Sequence, residues 1–309
     1  MGSPAFSVVM AAHDNAATIG EAIESVRRQT RSDWELIVVD DASQDGTADV
    51  AEELADPRVR VVREPENRGP GATRNRGISL AQAPLVCVLD SDDVWLPKYL
   101  ETMARALDSN PGAAVACSDA WVFDEGTGRV RKRSAVAMQR PPEPLPDDPQ
   151  LFLVELLQRN FVYYSVMARR ESLLAVGGYD ERLWVGEDWE LWLRLAAAGV
   201  RFAFVPRLLG LHRKRDGSLT STPERLLAGR REVYRVVAED WDASPAIRDL
   251  ALDMMRARDS RGRRRAAAAA LLAPLVGVRR RLRHSLLWHH EPPPDVADLL
   301  LTLADTRQA

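Results

Sequence analysis

The first half of the chain alternates short apolar runs rich in β-branched residues with segments whose apolar residues recur at helical spacing. Phe6 to Ala11 predicts a strand, and Ala17 to Gln29 predicts an amphipathic helix that would cover it. Further strands are predicted at residues 35–39, 59–63 and 85–89, with helices at 45–54 and 71–81 between them. Such alternation is typical of an α/β fold, with a mainly parallel central sheet and helices on both faces.

The second half continues this pattern less regularly. A helix at 97–107 and a strand at 113–118 precede the proline-rich segment 140–149, which predicts a surface loop. Helices are then predicted at 152–157, 171–176 and 187–198, and extended segments at 162–168 and 201–205. From Pro223 the sequence is helical and rich in arginine and alanine. We therefore predict a main domain at 1–222 and a separate helical carboxyl-terminal region at 223–309.

Composition narrows the class of protein. The 309 residues are 46% hydrophobic with a formal net charge of -3, which is ordinary for a globular protein and argues against nucleic-acid binding. No secretion signal is visible, and the longest apolar stretch, Ala266 to Val278, is shorter than the roughly 20 residues of a membrane-spanning helix. We expect a cytoplasmic location. Cys87 and Cys117 lie in apolar runs and are expected to be reduced core thiols.

Polar and acidic residues follow three of the predicted strands. They are His13 and Asp14 after the first strand, Asp40 and Asp41 after the second, and Asp90-Ser91-Asp92-Asp93 after the fourth. Ligands of open α/β sheets bind beyond the carboxyl ends of the strands, so we expect these groups to converge on one ligand site.

The acidic tetrad suggests a metal. Asp90, Asp92 and Asp93 crowd three carboxylates together, and close like charges repel unless a cation or hydrogen bonds compensate. A divalent metal is the simplest compensation, and oxygen ligands suit Mg2+ or Mn2+ whose shell is completed by substrate phosphates. The alternative is a solvated acidic turn that caps the following helix.

The groups beside the tetrad suit a nucleotide. Asp41 could accept a hydrogen bond from a base N–H or a ribose hydroxyl, or it could cap the next helix. His13 could stack on a nucleobase, or be an ordinary loop histidine. The flexible segment Asn67 to Gly71 opens a helix carrying Arg74 and Asn75, which could face a diphosphate or a sugar.

Three segments, Glu35 to Thr47, Asn67 to Gly77 and Leu89 to Asp93, resemble in order and spacing the motifs of the family 2 glycosyltransferases. The resemblance continues through Gly177 to Glu181 and Gly186 to Trp192. It implies a GT-A fold in which residues 5–118 bind the nucleotide sugar and 150–220 form the acceptor side. It also implies an inverting transferase of the hexosyltransferase kind that uses Mn2+ or Mg2+.

The resemblance assigns roles to individual residues. Asp188 would be the catalytic base, although acidic residues are also favoured in the first turn of any helix. Asp92 and Asp93 would hold the metal, with His212 as a further candidate ligand. The donor is expected to be a UDP sugar, with dTDP and GDP sugars as alternatives. The predicted donor-binding residues are Ala11, His13, Asp14, Asp40, Asp41 near the base, Asn67, Gly71, Arg74, Asn75, Asp90 near the ribose, and Ser91.

Two departures from the family pattern change the expectations. The first strand of the family ends in proline, a small residue, tyrosine or phenylalanine, and asparagine, whereas this chain has Ala11 to Asp14 there. The ring at the nucleobase position is therefore an imidazole, which leaves the base preference open. The Gln-x-x-Arg-Trp motif and membrane helices of processive members are missing, so we expect one sugar to be added per encounter.

Acceptor recognition is expected from the second half of the chain. The candidate residues are Tyr163, Tyr164, Trp184, Glu187, Trp189 and Trp192, although the helix-spaced tryptophans are equally explained by core packing. The acceptor is expected to be a glycan, a lipid-linked intermediate or a natural product. Basic clusters flank the apolar run 266–278, which suggests peripheral contact with an anionic membrane or packing against a second subunit.

Other functions remain as alternatives. A catalytically silent sugar-nucleotide or glycan-binding module would share the fold and the altered Ala11 to Asp14 segment. A nucleotidyltransferase would be expected to carry an early glycine-rich loop with lysine, and a dinucleotide-binding dehydrogenase would need Gly-x-Gly-x-x-Gly after the first strand. Neither sequence is present.

Overall fold

The computed structural model describes residues 3–54, 56–131, 134–139, 142, 145–162, 166–215 and 217–257. The predictions about Tyr163 and Tyr164, residues 140, 141, 143 and 144 of the proline-rich segment, and the basic and apolar segments of the tail concern residues outside these ranges. The strands are β1 (Phe6–Ala12), β2 (Trp34–Asp40), β3 (Val59–Arg63), β4 (Leu85–Val88), β5 (Val94–Trp95), β6 (Ala113–Asp124), β7 (Arg129–Val130), β8 (Val166–Arg169) and β9 (Arg201–Lys214).

Helices lie between most of these strands and follow the last one. They are α1 (Ala16–Arg27), α2 (Thr47–Glu53), α3 (Pro70–Leu80), α4 (Tyr99–Ser109), α5 (Ala135–Gln139), α6 (Pro149–Gln158), α7 (Arg170–Ala175), α8 (Glu187–Ala197), α9 (Pro223–Arg235) and α10 (Pro245–Ala257), with a π-helical segment, Val236–Asp240, after α9.

All strands belong to one mixed sheet with the order β3-β2-β1-β4-β8-β6-β9-β5, and β7 pairs with β6. Strands β1 to β4 pair in parallel, as predicted, whereas β8 runs antiparallel to both β4 and β6. The predicted α/β fold with a mainly parallel sheet and helices on both faces is confirmed.

Two hydrophobic cores cover the two faces of the sheet. On one face, α1 and α4 pack on the alternate residues of β1, such as Val8 and Met10. On the other face, α3, α6 and α8 pack on residues such as Val9 and Val39. Helix α3 lies so close to β1 that a Cβ atom on Gly77 would be 2.3 Å from Val9 Cγ1. This close packing fixes the amino-terminal half of α3 at the carboxyl edge of the sheet.

Two strands are longer than predicted. Strand β6 was expected at 113–118 and β9 at 201–205, but they span 12 and 14 residues and pair in parallel with register shifts near Asp119. The buried Asp119 and the exposed Arg207 interrupt the apolar pattern, which is why the sequence understates these strands. The two-residue strands β5 and β7 and the short α5 were not predicted either. His212 consequently lies inside β9 rather than after a strand.

The first helices of the carboxyl-terminal region pack into the main core. Val233 and Tyr234 of α9 and Leu250 of α10 are buried in the same cluster as Trp189 of α8. Residues 223–251 therefore share a core with the main domain, while the division at residue 222 stays a prediction because residues 258–309 are not described.

No helix in the described ranges is long and apolar enough to cross a membrane. Cys87 and Cys117 are buried free thiols, as predicted.

Candidate active site

The edge of the sheet is built from the ends of β1 and β2 and the loop before α3. Asp41, directly after β2, is 4% exposed, and its N–H donates to the carbonyl of Ala12 at 2.8 Å. Its two carboxylate oxygens accept the backbone N–H groups of Arg68 at 2.8 Å and Gly69 at 2.9 Å. Gly69 has φ +86°, which favours glycine. Asp41 thus fixes the loop that begins α3, a role the sequence did not predict.

His13 connects the same segments. Its Nδ1 lies 2.7 Å from the carbonyl oxygen of Asp41, and its Nε2 lies 2.9 Å from the side-chain amide nitrogen of Asn67. The two predicted donor-binding residues His13 and Asn67 are therefore in direct contact.

Several predicted donor-binding residues have internal partners. Asp14 adopts φ 52° and accepts the N–H of Gln44 at 2.8 Å, and Ser91 donates to Asn15 Oδ1 at 2.9 Å. Asp40 is buried and accepts the N–H of Ser43 at 3.3 Å. Ala11 is partly buried in β1 and pairs with Val39. These contacts shape the edge of the sheet, and a contact of these residues with a nucleotide stays a prediction.

The acidic tetrad follows β4 and faces the last residues of β9. Asp93 is fully buried, and its carboxylate accepts the N–H of Arg213 at 2.7 Å and lies 3.2 Å from His212 Nδ1. Burial opposes the charge on His212, but Asp93 raises the pKa of the imidazole to about 9. Burial also raises the pKa of Asp93, despite the opposing effect of His212. Asp93 thus anchors the end of β9, and a metal contact of Asp93 or His212 stays a prediction.

Arginines beside the tetrad were not among the predicted site residues. Arg213 is 6% exposed, donates through Nε to the carbonyl of Asp92 at 2.9 Å and pairs with Glu21 of α1. Arg215 Nε donates to Asp92 Oδ2 at 3.0 Å. The sequence signal for them is the basic run from His212 to Arg215, and their partners are more than 100 residues away in the chain.

Among the described residues, no group of three or more His, Cys, Asp or Glu side chains is arranged to hold a metal. The predicted shell of Asp92, Asp93 and His212 is therefore not assembled, because Asp93 and His212 pair with each other. Asp92 still fits Mg2+ or Mn2+, which need only one or two protein carboxylates when phosphates supply other ligands. Burial, Asp93 and Asp90 raise the pKa of Asp92 to about 7, so negative charge is crowded there. A cation would relieve that crowding.

The candidate base lies at the start of α8, which is bound to the edge by two ion pairs. Arg74 of α3 donates through Nη2 to Asp90 Oδ1 at 2.8 Å and through Nη1 to Glu187 Oε1. The side chains of Arg74 and Glu187 are 11% and 9% exposed. The guanidinium also lies 5.5 Å from the centroid of the Tyr179 ring. We call this arrangement, Asp90–Arg74–Glu187, the arginine bridge.

Asp188 follows the arginine bridge directly. Its Oδ1 lies 2.6 Å from the N–H of Trp189, which donates to it. Burial, followed by the neighbouring Glu187, raises the pKa of Asp188 to about 7, while Arg74 acts in the opposite direction. A carboxylate with a pKa near the working pH has the property expected of a general base. The pKa of Asp90 is lowered by Arg74 and His212, which outweigh its burial.

Two predicted donor-binding residues of α3 instead connect it to the segment before α8. The side-chain amide of Asn75 donates to the carbonyl of Tyr179 at 2.9 Å and accepts its N–H at 2.8 Å. A Cβ atom on Gly71 would be 3.2 Å from the carbonyl oxygen of Asp180, so glycine permits the close approach. Both residues hold the two halves of the site together, and a direct contact with the donor stays a prediction.

The tryptophans of the acceptor side divide into two groups. Trp184 is 49% exposed, and its ring packs against Gly69, whose Cβ position is 3.1 Å from Trp184 Cε2. Trp189 is 3% exposed, donates to the carbonyl of Leu156 at 2.9 Å and packs edge-on against Tyr234. The predicted acceptor contact of Trp189 is therefore wrong, because its ring is enclosed in the core. Core packing also explains the buried Trp192.

Residues 7–176 match the model of glycosyl transferase family 2. The chain belongs to this family. It is 34% identical over 219 residues to the succinoglycan biosynthesis protein ExoO of Rhizobium meliloti, a match that covers 70% of this chain and 63% of that protein.

Solved structures show the same fold. TarS 1–349 of S. aureus, in complex with UDP-GlcNAc, matches with a TM-score of 0.62 and 21% identity over 86% of this chain and 75% of that one. The mannosyltransferase PcManGT from Pyrobaculum calidifontis, in complex with GDP-Man and Mn2+, matches with a TM-score of 0.60 and 20% identity over 100% of this chain and 82% of that one. The predicted GT-A fold is confirmed.

Proposed function

We propose that this glycosyltransferase uses a divalent metal and transfers one sugar, with inversion, from a nucleotide diphosphate to a hydroxyl acceptor. The observation that carries the proposal is the arginine bridge. It connects Asp90, at the predicted donor edge, to Glu187, the neighbour of the candidate base Asp188. A donor at this edge and a base on α8 would then lie on opposite sides of one reaction centre.

Asp188 is the proposed base. Its ionised carboxylate takes the proton of the acceptor hydroxyl as that oxygen attacks the anomeric carbon. The bond from this carbon to the diphosphate oxygen breaks, and its electron pair leaves with the nucleotide. One displacement, with attack opposite the leaving group, inverts the anomeric configuration.

The donor side is assigned by chemistry and by the family resemblance. Asp41, Asn67 and His13 lie at the proposed nucleobase end, and Asp90 is assigned to the ribose. Asp92 would hold Mn2+ or Mg2+, and the metal when bound supplies positive charge that stabilises the departing diphosphate. Structures of the same fold contain UDP-GlcNAc, or GDP-Man with Mn2+, and this supports a nucleotide-sugar donor. UDP remains our first expectation for the nucleotide, before dTDP and GDP.

The acceptor is proposed only as a class of molecule, a carbohydrate. The exposed ring of Trp184 offers an apolar face of the kind on which sugar rings lie. Glu187, the other acceptor candidate, is buried and paired with Arg74, and its contact with the acceptor stays a prediction. The relative named for succinoglycan biosynthesis supports a role in making a polysaccharide. Lipid-linked and natural-product acceptors, a cytoplasmic location and membrane or subunit contact through residues 223–309 stay predictions.

Donor binding can be tested through thermal stability, because a ligand that binds only the folded state raises the melting temperature. We expect UDP, dTDP or GDP sugars to raise it more with Mn2+ than without. Asp92→Ala should remove this metal-dependent increase, whereas Asp108→Asn, on an exposed part of α4, should keep it. Equal increases with and without Mn2+ in the wild type would contradict the proposed metal dependence.

A further inference from the structure

His13 lies where three segments of the donor edge meet. Its ring contacts Asp41 at the end of β2 and Asn67 in the loop before α3, while the residue itself follows β1. Its side chain is 40% exposed. Asp41 in turn accepts two backbone N–H groups from the same loop. The imidazole therefore completes a closed set of hydrogen bonds around the proposed nucleobase end of the site.

The hydrogen bonds define which nitrogen carries the proton. The backbone N–H of Gly69, which donates to Asp41, is shared with Asn67 Oδ1 at 3.1 Å, so the oxygen of the Asn67 amide faces this donor. The amide nitrogen of Asn67 must then face His13 Nε2, so Nε2 accepts. A carbonyl oxygen can only accept, so Nδ1 carries the proton that is donated to Asp41. The geometry selects the neutral Nδ1–H tautomer.

We propose that His13 is a positioning residue for the nucleobase: its neutral Nδ1–H form braces the loop 67–69 against the end of β2. The inference rests on the proposed function, since it concerns the donor site of that reaction. A phenylalanine could offer the same ring face to a base but neither of the two hydrogen bonds. The brace is thus a role separate from stacking.

Protonation would break the brace. A protonated Nε2 can no longer accept from Asn67, and the carboxylate of Asp14 lies 3.6 Å away as an alternative partner. The other charged groups around the ring are engaged elsewhere: Asp41 with the loop N–H groups, and the Arg68 guanidinium with Glu181 at 2.9 Å. The hydrogen bond from Asn67 thus requires an unprotonated Nε2.

Nucleotide affinity of variants separates the brace from stacking. The probe is whichever of UDP, GDP or dTDP binds the wild type most tightly with Mn2+, measured by calorimetry at about pH 8, where histidine is mostly neutral. His13→Phe keeps an aromatic face and should bind about tenfold more weakly than the wild type. His13→Gln, whose amide can still accept from Asn67 and cannot be protonated, should retain more affinity than His13→Phe. Equal affinity of His13→Phe and the wild type would overturn the inference.

The tautomer can be observed directly in the ligand-free protein. Nitrogen-15 NMR distinguishes protonated from unprotonated imidazole nitrogens, and the His13 signals are those lost in His13→Gln. We expect the Nδ1–H form at about pH 8, and an Nε2–H form would overturn the inference. If the wild type bound none of the nucleotides, the proposed function itself would fail. If the wild type and His13→Phe bound one equally, only the role of His13 would fail.

Discussion

The residue on which the proposed chemistry depends most is Asp188. Its pKa is raised to about 7, first by burial and then by Glu187, so a large part of the population is ionised near neutral pH. The ionised form is the one that can accept a proton from the acceptor hydroxyl.

The raised pKa of Asp188 predicts the acidic limb of the activity profile. Because the base must be ionised, kcat/KM should fall about tenfold per pH unit below a midpoint near pH 7 and level off above it. Initial rates measured at saturating metal over this range would show the limb. A rate that stays constant down to about pH 5 would mean that no group with such a pKa acts as the base.

The same raised pKa predicts that Asp188 contributes less to stability as the pH rises, whereas it contributes more to activity. The pKa of Asp188 is about 7 in the folded chain and 3.8 without the fold, so the folded state holds the extra proton between these values. The stability it contributes is fully present below the lower value and is lost as the pH rises through the higher one. Asp188→Asn should therefore gain melting temperature relative to the wild type as the pH rises from about 5 to about 8.

At the scale of elements, helices α3 and α8 are the two parts that must stay in register. The arginine bridge and the contacts of Asn75 and Gly71 all cross between α3 and the segment 178–187. Arg74 and Glu187 are separated by 113 residues in the chain. The apolar periodicity of each helix predicts that it packs on the sheet, but carries no information on which polar residues of the two helices meet.

Removing the arginine bridge should change the pH profile as well as the rate. Arg74 favours the ionised form of Asp188, so Arg74→Gln should raise the midpoint of the kcat/KM profile by about one pH unit or more. Arg74→Lys keeps the charge and should move it less. Arg76→Gln is the matched control: it lies on the same helix as Arg74 and removes an ion pair with Glu64, which follows β3. An unchanged midpoint in Arg74→Gln would show that the bridge does not act on the base.

Helix α9 supports the segment that carries the base. Gly229 of α9 faces Val185, and a Cβ atom there would lie 2.5 Å from Val185 Cγ1 and 2.7 Å from its carbonyl oxygen. Gly229→Ala should therefore lower the free energy of unfolding by about 1–3 kcal/mol, as overpacking does. If the contact with Val185 were missing, replacing this helical glycine by alanine would instead raise the free energy of unfolding by about 1 kcal/mol. Chemical denaturation distinguishes the two signs, with Ala228→Ser on the exposed face as control.

At the scale of the whole molecule, the sequence predicts strands β1 to β4 better than the later strands of the sheet. Strands β1, β2 and β4 are mainly apolar because helices cover both faces, whereas the edge strand β3 carries Arg60 and Arg63. The carboxyl ends of these strands locate the acidic edge. The later strands β6 and β9 contain polar residues and register shifts. Their length is determined by pairing with each other and cannot be read from an apolar pattern. This is also why Arg213 and Arg215, which reach the tetrad from β9, were not recognised as site residues.

The candidate site is likewise predicted from the sequence only in part. The groups that end β1, β2 and β4 could be located from the sequence because strand ends in a parallel sheet share one edge. Their partners could not, since Asp93 pairs with His212, and Trp189 is enclosed by helices that only the fold brings together. The exposed Trp184 and the buried Trp189 look alike in sequence and differ only in burial.

The central claim is that Asp188 is the base facing a donor held at the acidic edge. The most direct test is to measure nucleotide-sugar binding and turnover in parallel for Asp188→Asn, the wild type and the exposed-site control Asp108→Asn, with Mn2+. We predict that Asp188→Asn binds the donor as the wild type does while its kcat falls by roughly 100- to 10,000-fold. Turnover of Asp188→Asn close to that of the wild type would contradict the account.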